Sequence, residues 1–387
     1  MYPNLYYAFK DLFGVDFPPL RFINSFGFFV AIAFLVAAAL LSKELRRKSR
    51  AGLLQPTEEQ IMVGQPASIG ELVFNFILGF ILGYKILALF FLSSGATQDP
   101  QTFIFSTMGN WPLGIGMGVL FAGLKWWEKR KHQLPKPEKR TVRIWPEDRV
   151  GEITILALIF GLIGAKLFDI FENWGDFLKH PSDYILSPAG LTFYGGLICA
   201  AISIIIYARR NKIPVRHLAD AVAPPLMIAY AVGRIGCHVS GDGDWGIVNR
   251  NPKPFNWLPD WIWSYSYPHN VNEAGVQIPG CVGKYCNQLP EAVFPTSFYE
   301  TIVCLILFGI LWSLRKKLKP FGAIFALYLI LNGIERFFIE KIRVNNRLYV
   351  FGFQPTQAEV ISIFLILTGI GLWIYLAKKY NSTPAKV

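Results

Sequence analysis

The 387-residue chain is 53% hydrophobic, only 17% of its residues are charged, and its formal net charge is +12. An average soluble domain carries about 25% charged residues, so the composition excludes an ordinary soluble fold and favours a membrane protein. The positive charge does not indicate nucleic-acid binding, because the basic residues collect in particular loops between apolar segments, as they do in membrane proteins.

Nine apolar runs follow one another along the chain, each of about the 18 residues that a membrane-crossing helix needs. They are 24–41, 71–92, 103–124, 151–171, 191–207, 218–235, 298–314, 322–339 and 358–376. Only helices and closed barrels satisfy their backbone in lipid. The sequence therefore predicts an all-α polytopic protein with about nine transmembrane helices. A basic cluster follows the first run rather than preceding it, so we do not expect a cleaved signal peptide.

The basic residues collect in every second loop between these apolar runs. Basic clusters occupy 43–50, 125–149, 209–216, 315–319 and 378–386, whereas the long loop 237–294 holds few lysines and arginines. The positive-inside rule then predicts an outside N-terminus and an inside C-terminus. The loop is rich in Trp, Tyr and Pro, which favours a folded cap on the outer membrane surface. Cys281 and Cys286 lie in this loop, and the sequence leaves open whether they form a disulfide.

Several ionisable residues lie in or at the outer ends of the apolar runs. They are Arg234, Glu300, Glu335, Arg336, Glu340 and Arg343. Such residues are expensive near lipid, so they mark either structural ion pairs or a functional site. We expect more arginine charge than the nearby carboxylates need, which suits a phosphate, because arginine binds phosphate oxygens through paired N–H donors.

Two glycine-rich stretches accompany these charges. "GRIGCHVSGDGDWG" (233–246) follows the sixth run, and "GLTFYGGL" (190–197) opens the fifth. Glycines allow backbone N–H groups to approach an anion, so these stretches predict a site for a phospholipid headgroup. Cys237, His238, Asp242 and Asp244 are of types that bind metals, but their spacing fits no standard site, and we expect no metal. The rival function is a transporter or channel for an anionic substrate.

Four segments together resemble the prolipoprotein diacylglyceryl transferase family. "LADAVAPPLMIAYAVGRIGCHVSGDGDWG" (218–246) is similar to the hallmark segment of that family. "LTFYGGL", "FPTSFYE" and "ERFFIEKIR" are similar to its S-F-H-G-G-L, H-P-S-Q-L-Y-E and F-R-F-x-x-E-F-x-R. The motifs occur in the order and spacing of the family, and the resemblance covers about 20–42 and 151–377.

The resemblance implies a reaction and its participants. The enzyme would transfer the diacylglyceryl group of phosphatidylglycerol to the lipobox cysteine thiol of a prolipoprotein signal peptide and release glycerol phosphate, with no cofactor. It would lie in the bacterial inner membrane with its site facing the outer leaflet. The alternative within this chemistry is a related phospholipid-dependent transferase with a different acceptor.

The resemblance also implies the site residues. The catalytic set would contain Arg234, Arg336 and Glu340 from the family pattern. Tyr194, which occupies a family histidine position, and His238 complete it on the chemistry of their own side chains. The substrate-binding set would add Gly195, Gly196, Gly233, Gly236, Asp242, Tyr299, Glu300 and Arg343. Asp220 matches a family aspartate, and a structural role suits its place at the inner end of its helix.

This chain departs from the family pattern at several polar positions. Tyr194 replaces a histidine, Cys237 an asparagine, and Asp242 a glutamate, with Asp244 as an additional acid. A phenol is a poor base at neutral pH, so His238 is the candidate acceptor of the thiol proton. The alternative, that the arginines lower the thiol pKa enough without a base, stays open.

The resemblance divides the chain into a family core of seven helices with two inserted ones. The segments are 1–42 with the first helix, an inserted 43–150 with two extra membrane helices and a basic solvated linker, core helices in 151–236, the cap 237–294, and the C-terminal helices and tail 295–387.

Overall fold

The computed structural model describes residues 1–88, 103, 108–179, 181, 185, 190, 192–345, 349 and 354–381. Helices make up most of this structure, as the apolar runs predict. The longer ones are α1 (Leu5–Phe13), α2 (Ser25–Arg50), α3 (Ile69–Ile81), α4 (Trp111–Lys131), α5 (Val150–Glu172), α6 (Phe193–Arg210), α7 (Val215–Ser240), α8 (Thr296–Leu314), α9 (Ala323–Glu340) and α10 (Gln357–Asn381). The predicted all-α polytopic class is confirmed.

Seven helical segments within the described residues are long and apolar enough to cross a membrane. They are Ser25–Arg50, Ile69–Leu87, Pro146–Glu172, Phe193–Arg210, Val215–Ser240, Thr296–Leu314 and Gln357–Asn381. The other two predicted runs form α4 and α9. Glycines and terminal charged residues lower the mean hydropathy of α4, and α9 contains three charged residues near its C-terminal end. The count of nine spans and the orientation stay predictions.

The orientation can be tested by cysteine labelling. Arg140 and Arg250 are both exposed, with side-chain accessibilities of 57% and 79%. We expect Arg140→Cys to react only from the inside and Arg250→Cys only from the outside, because basic loops stay inside. Labelling of intact cells with a membrane-impermeant maleimide, before and after permeabilisation, measures this. Reaction of both positions from one side would refute the arrangement.

A two-stranded ribbon carries the predicted insertion. Strand β1 (Thr57–Val63) pairs antiparallel with β2 (Glu138–Ile144), with Thr57 opposite Ile144. The stretch that we expected to be a solvated linker therefore contains a β-strand, although its side chains are largely exposed. This strand could not be predicted from its own residues, because its partner strand lies far away along the chain.

Between the two strands, α3 and α4 form a closely packed helical hairpin. A Cβ atom on Gly114 would lie 2.9 Å from the Phe80 ring, and one on Gly118 would lie 2.8 Å from the Phe76 ring. On the facing helix, a Cβ on Gly79 would lie 2.9 Å from Phe121. Small residues four apart let membrane helices approach to backbone distance, which explains the glycines of this segment.

Arg149 fixes the base of the ribbon to the rest of the bundle. It is 5% exposed, and its Nη2 donates to Thr57 Oγ1 at 3.0 Å and to the carboxylate of Glu59. Its Nη1 donates to the Tyr207 hydroxyl of α6 at 3.3 Å. The ribbon therefore enters the bundle at a buried, hydrogen-bonded point.

Helix α7 lies at the centre of the bundle and packs against α2, α8 and α9. Near its N-terminal end Asp220 accepts hydrogen bonds from the backbone N–H groups of Gly322, at 2.7 Å, and Phe325, at 3.1 Å. It thereby caps α9, so the structural role expected for Asp220 is what the structure shows. Near its C-terminal end α7 carries Arg234 and runs into the glycine-rich turn.

The segment after α7 forms the folded cap that the aromatic loop predicts. Short extended pieces pair Gly246 with Arg343, and Val293 with both Val248 and Tyr265. A further small ribbon joins β3 (Val276–Gln277) to β4 (Asn287–Gln288). Cys281 and Cys286 form a disulfide, with their Cα atoms 5.5 Å apart, which answers the question that the sequence left open. The amino group of Met1 donates to Pro268 O at 2.9 Å, so the N-terminus is tied to the cap.

Candidate active site beneath the cap

Glu300 is the centre of a buried charge cluster. It lies in the first turns of α8 and is 0% exposed. Its Oε1 accepts from Arg336 Nη1 at 2.9 Å and from the Tyr230 hydroxyl at 3.0 Å, and it lies 3.5 Å from Arg343 Nη1. Its Oε2 lies 3.1 Å from Arg234 Nε. Arg234 of α7 and two arginines at or just beyond the end of α9 therefore converge on one carboxylate.

Two further acids complete the cluster. Asp244 contacts both Arg234 and Arg343, and Glu340 Oε2 lies 3.1 Å from Arg336 Nη2. Three arginines thus face three carboxylates, and the expected excess of arginine charge is not present. The charges are balanced, but some N–H donors of the arginines have no acceptor. Nε and Nη1 of Arg343 are buried without a hydrogen bond to any described residue. Such donors suit an anion.

Asp244, rather than Asp242, orients the arginines. The sequence comparison placed the acidic family position at Asp242. Among the described residues, Asp242 accepts a 3.3 Å bond from the Asp244 N–H and a hydrogen bond from Cys237, and it forms no ion pair with an arginine. Gly241 and Gly243 have φ of +64° and +98°, and this turn directs Asp244 back to the arginines. The second aspartate of "DGD" was the sequence signal for an additional acid at the site. The conformation of the turn, which decides which aspartate reaches the arginines, could not be predicted from the sequence.

The environments of the two aspartates differ accordingly. Burial raises the pKa of Asp242 above its usual range, and the charge of Asp244 adds to this shift. Burial acts on Asp244 in the same direction, but the charges of Arg234 and Arg343 outweigh it, and the pKa of Asp244 is lowered. Asp244 is therefore the acid that stays ionised beside the arginines.

Substitution of the two aspartates should separate their roles. We expect Asp244→Asn to lower transfer about tenfold or more, because two guanidinium groups lose a charge-assisted partner. Asp242→Asn should change the rate by about twofold at most, since it contacts neither arginine. Initial rates at equal amounts of membrane protein measure the difference. A larger loss in Asp242→Asn than in Asp244→Asn would contradict the assignment.

Tyr194 belongs to the same region. It lies in the first turn of α6 and is half-buried. The charges that act on its phenol are those of Arg336, Glu340, Arg234 and Arg343. The structure therefore brings the residue at the family's histidine position close to the predicted phosphate-binding arginines.

His238 lies away from this cluster, in an aromatic seam between α7 and the cap. Its ring contacts those of Trp261, Tyr265, Tyr267 and Phe298. Its Nδ1 lies 3.4 Å from the Tyr267 hydroxyl and 3.5 Å from Ser297 Oγ. Tyr299 lies nearby and donates to Ile262 O at 2.8 Å, which ties α8 to the cap. The base role of His238 stays a prediction.

Most of the glycines assigned to the headgroup site are used in helix packing. A Cβ on Gly195 would lie 2.6 Å from the Gly164 carbonyl oxygen of α5, and one on Gly196 would lie 2.8 Å from that of Gly161. Gly236 packs in the same way against α2. A Cβ on Gly233 would meet no described atom within 4 Å, so Gly233 needs a different explanation.

One group of metal-type ligands lies beside the cluster. The donor atoms of Cys237, Asp242 and Asp244 are within 4.8 Å of one another, and His238 is not part of the group. Cys237 is 6% exposed, and its Sγ lies 3.8 Å from Arg234 Nη1. The two arginine contacts of Asp244 explain this arrangement without a metal.

The fold and the cluster define a polytopic helical membrane protein with a buried arginine–carboxylate site at its capped end. The model of the prolipoprotein diacylglyceryl transferase family matches residues 113–375. The chain belongs to this family, as its motifs predicted. The match begins within the predicted insertion 43–150, so the boundaries of that insertion stay a prediction.

Curated proteins named phosphatidylglycerol–prolipoprotein diacylglyceryl transferase are similar to this chain. The protein from Dehalococcoides mccartyi is 30% identical over 234 residues, which is 60% of this chain and 78% of that protein. The Lysinibacillus sphaericus protein is 30% identical over 231 residues, or 59% and 77% of the two chains. The Staphylococcus aureus protein is 30% identical over 236 residues, or 61% and 76%.

Proposed function

We propose that this protein transfers the diacylglyceryl group of phosphatidylglycerol to the lipobox cysteine thiol of a prolipoprotein signal peptide and releases glycerol phosphate. Family membership and the names of the relatives support the reaction class. The observation that carries the proposal is the convergence of Arg234, Arg336 and Arg343 on Glu300, with spare donors on Arg343.

The arginines fit the chemistry of such a transfer. The thiol sulfur attacks the glyceryl carbon next to the phosphate, a C–S bond forms, and the C–O bond to the phosphate breaks. The electron pair leaves with glycerol phosphate, and the thiol proton passes to that phosphate or to solvent. Guanidinium groups held in place by carboxylates stabilise the charge on the leaving oxygens without reorganising.

The thiol has two proposed routes to its reactive form. Arg234, Arg336 and Arg343 favour the thiolate of a nearby cysteine by their charge alone. Alternatively, His238 accepts the proton, although its ring lies in the aromatic seam. Tyr194 donates a hydrogen bond to a phosphate or ester oxygen of the lipid in either case.

The setting of the reaction is part of the proposal. The protein lies in the bacterial inner membrane, and the cluster beneath the cap faces the outer leaflet. An acceptor peptide and a lipid of that leaflet then reach the arginines from the same side. The basic loops on the opposite side of the bundle support this orientation.

A transfer assay tests the function. Membranes that contain the protein are incubated with phosphatidylglycerol labelled in its acyl chains and a lipobox peptide. We expect label on the peptide, and none on a matched peptide with serine in place of cysteine. Membranes without the protein are the second control. Failure to label the cysteine peptide, with the protein present in the membrane, would refute the proposal.

The alternative of an anion transporter or channel is not supported by the comparisons, which match diacylglyceryl transferases. The same protein in vesicles distinguishes the two. Uptake of glycerol phosphate without lipid transfer would favour transport.

A further inference from the structure

Glu335 is a buried acid that the proposed reaction does not use. It lies on α9 directly before Arg336 and is 7% exposed. Neither its Oε1 nor its Oε2 has a hydrogen-bond partner among the described residues. Its neighbours Glu300 and Glu340 differ, since arginines contact both of them. A carboxylate with no donor is costly in a protein interior, so Glu335 needs a physical explanation.

The surroundings of Glu335 can be described helix by helix. Its electrostatic neighbours are Tyr230 and Arg234 on α7, Glu300 and Cys304 on α8, Tyr328 and Arg336 on α9, and Arg343 beyond the end of α9. On α10, Glu359 accepts from Lys341 at 2.5 Å and from the Thr356 N–H at 3.1 Å. Glu335 therefore lies against the charge cluster, on the side that faces α7 and α8.

The charges of the cluster are already balanced without Glu335. Three guanidinium groups face the carboxylates of Asp244, Glu300 and Glu340. Ionised Glu335 would add a fourth negative charge close to Glu300, and like charges in a buried site do not both ionise readily. A neutral, protonated Glu335 would avoid this repulsion while Glu300 keeps its three arginine partners.

We propose that Glu335 is a positioning residue of the transfer site, which holds a proton and so keeps the negative charge of the arginine cluster low enough to admit a phosphate. The inference rests on the proposed function. Loss of this proton would place an extra negative charge beside Arg234 and Arg336 and repel the headgroup. At an effective dielectric constant of about 20, two unit charges about 10 Å apart repel enough to weaken binding on the order of tenfold.

The proton itself can be observed without any transfer activity. Infrared spectra of the purified protein in lipid should contain a band of a protonated carboxyl group that is missing in Glu335→Gln. Asp242→Asn serves as a comparison and should retain the band of Glu335, because Asp242 is a different acid that lies outside the helices. Identical carboxyl bands in the wild type and Glu335→Gln would overturn the proposal even if transfer itself were demonstrated.

The kinetic test follows the pH dependence of KM for phosphatidylglycerol. Buried glutamates can ionise as late as about pH 8–9. Towards that range we expect the KM of the wild type to rise on the order of tenfold. In Glu335→Gln the rise should disappear, whereas Glu335→Asp should retain it. Glu359→Gln, a control on α10, should follow the wild type.

Two results would contradict this role. One is a wild-type rise in KM that persists in Glu335→Gln. The other is a KM that does not change with pH in any variant. A wild type that transfers no lipid at all counts against the proposed function instead, and the infrared result then decides the protonation of Glu335 by itself.

Discussion

Replacement of Arg336 by lysine is expected to lower transfer by about 10- to 150-fold. The guanidinium of Arg336 reaches two acids at once, with Nη1 2.9 Å from Glu300 and Nη2 3.1 Å from Glu340. Lysine keeps the charge but has no planar fork, so at least one charge-assisted contact is lost, worth about 1.5–3 kcal/mol. A phosphate bound by the same guanidinium group would also lose its paired hydrogen bonds.

Arg234→Lys should behave similarly, because Arg234 also contacts two acids. Initial rates of lipid transfer, normalised to protein in the membrane, measure both variants. Arg250→Lys is the matched control, since Arg250 is exposed and pairs with Glu291 on the cap. Near-normal turnover in Arg336→Ala or Arg234→Ala would show that these arginines do not bind the phosphate.

Replacement of Glu300 by glutamine is expected to impair both stability and transfer. Glutamine has nearly the same size, but it removes the one negative charge that three arginines share. Breaking a buried ion pair by removing one partner costs about 3–5 kcal/mol, because the remaining charge is left uncompensated. We therefore expect a lower midpoint of thermal unfolding in detergent and a loss of transfer of at least about 100-fold.

Glu291→Gln is the control for Glu300→Gln. Glu291 pairs with Arg250 on the surface of the cap, where an ion pair is worth about 1 kcal/mol or less. Its substitution should leave the unfolding midpoint and the transfer rate close to the wild type. A Glu300→Gln protein as stable and active as Glu291→Gln would refute the central position of Glu300.

The helices were predictable because their cause is local. The length of each apolar run and the positions of the basic loops can be counted directly in the sequence. The helices therefore follow the predicted runs, as α2, α5, α7, α8 and α10 do. The ribbon of β1 and β2 was missed because pairing joins segments far apart in the chain. Strands of exposed polar residues carry no apolar alternation that would reveal them.

The site was predictable in its residue types and less so in its pairings. The motifs located Arg234, Arg336 and Arg343 but could not show how many acids would meet them. The role of Asp242 stays a prediction, whereas two left-handed glycines, whose conformation the motif does not reveal, bring Asp244 into contact with the arginines. The position of His238 depends on its contacts with aromatic rings of the cap, and these long-range contacts could not be predicted from sequence patterns.

The pairing of Thr57 with Ile144 has a consequence for how this protein can be altered. Paired strands lie only about 5 Å apart, so the chain leaves the bundle and returns to it at nearly one point. Excision of the residues between these two would therefore need only a short turn to close the gap.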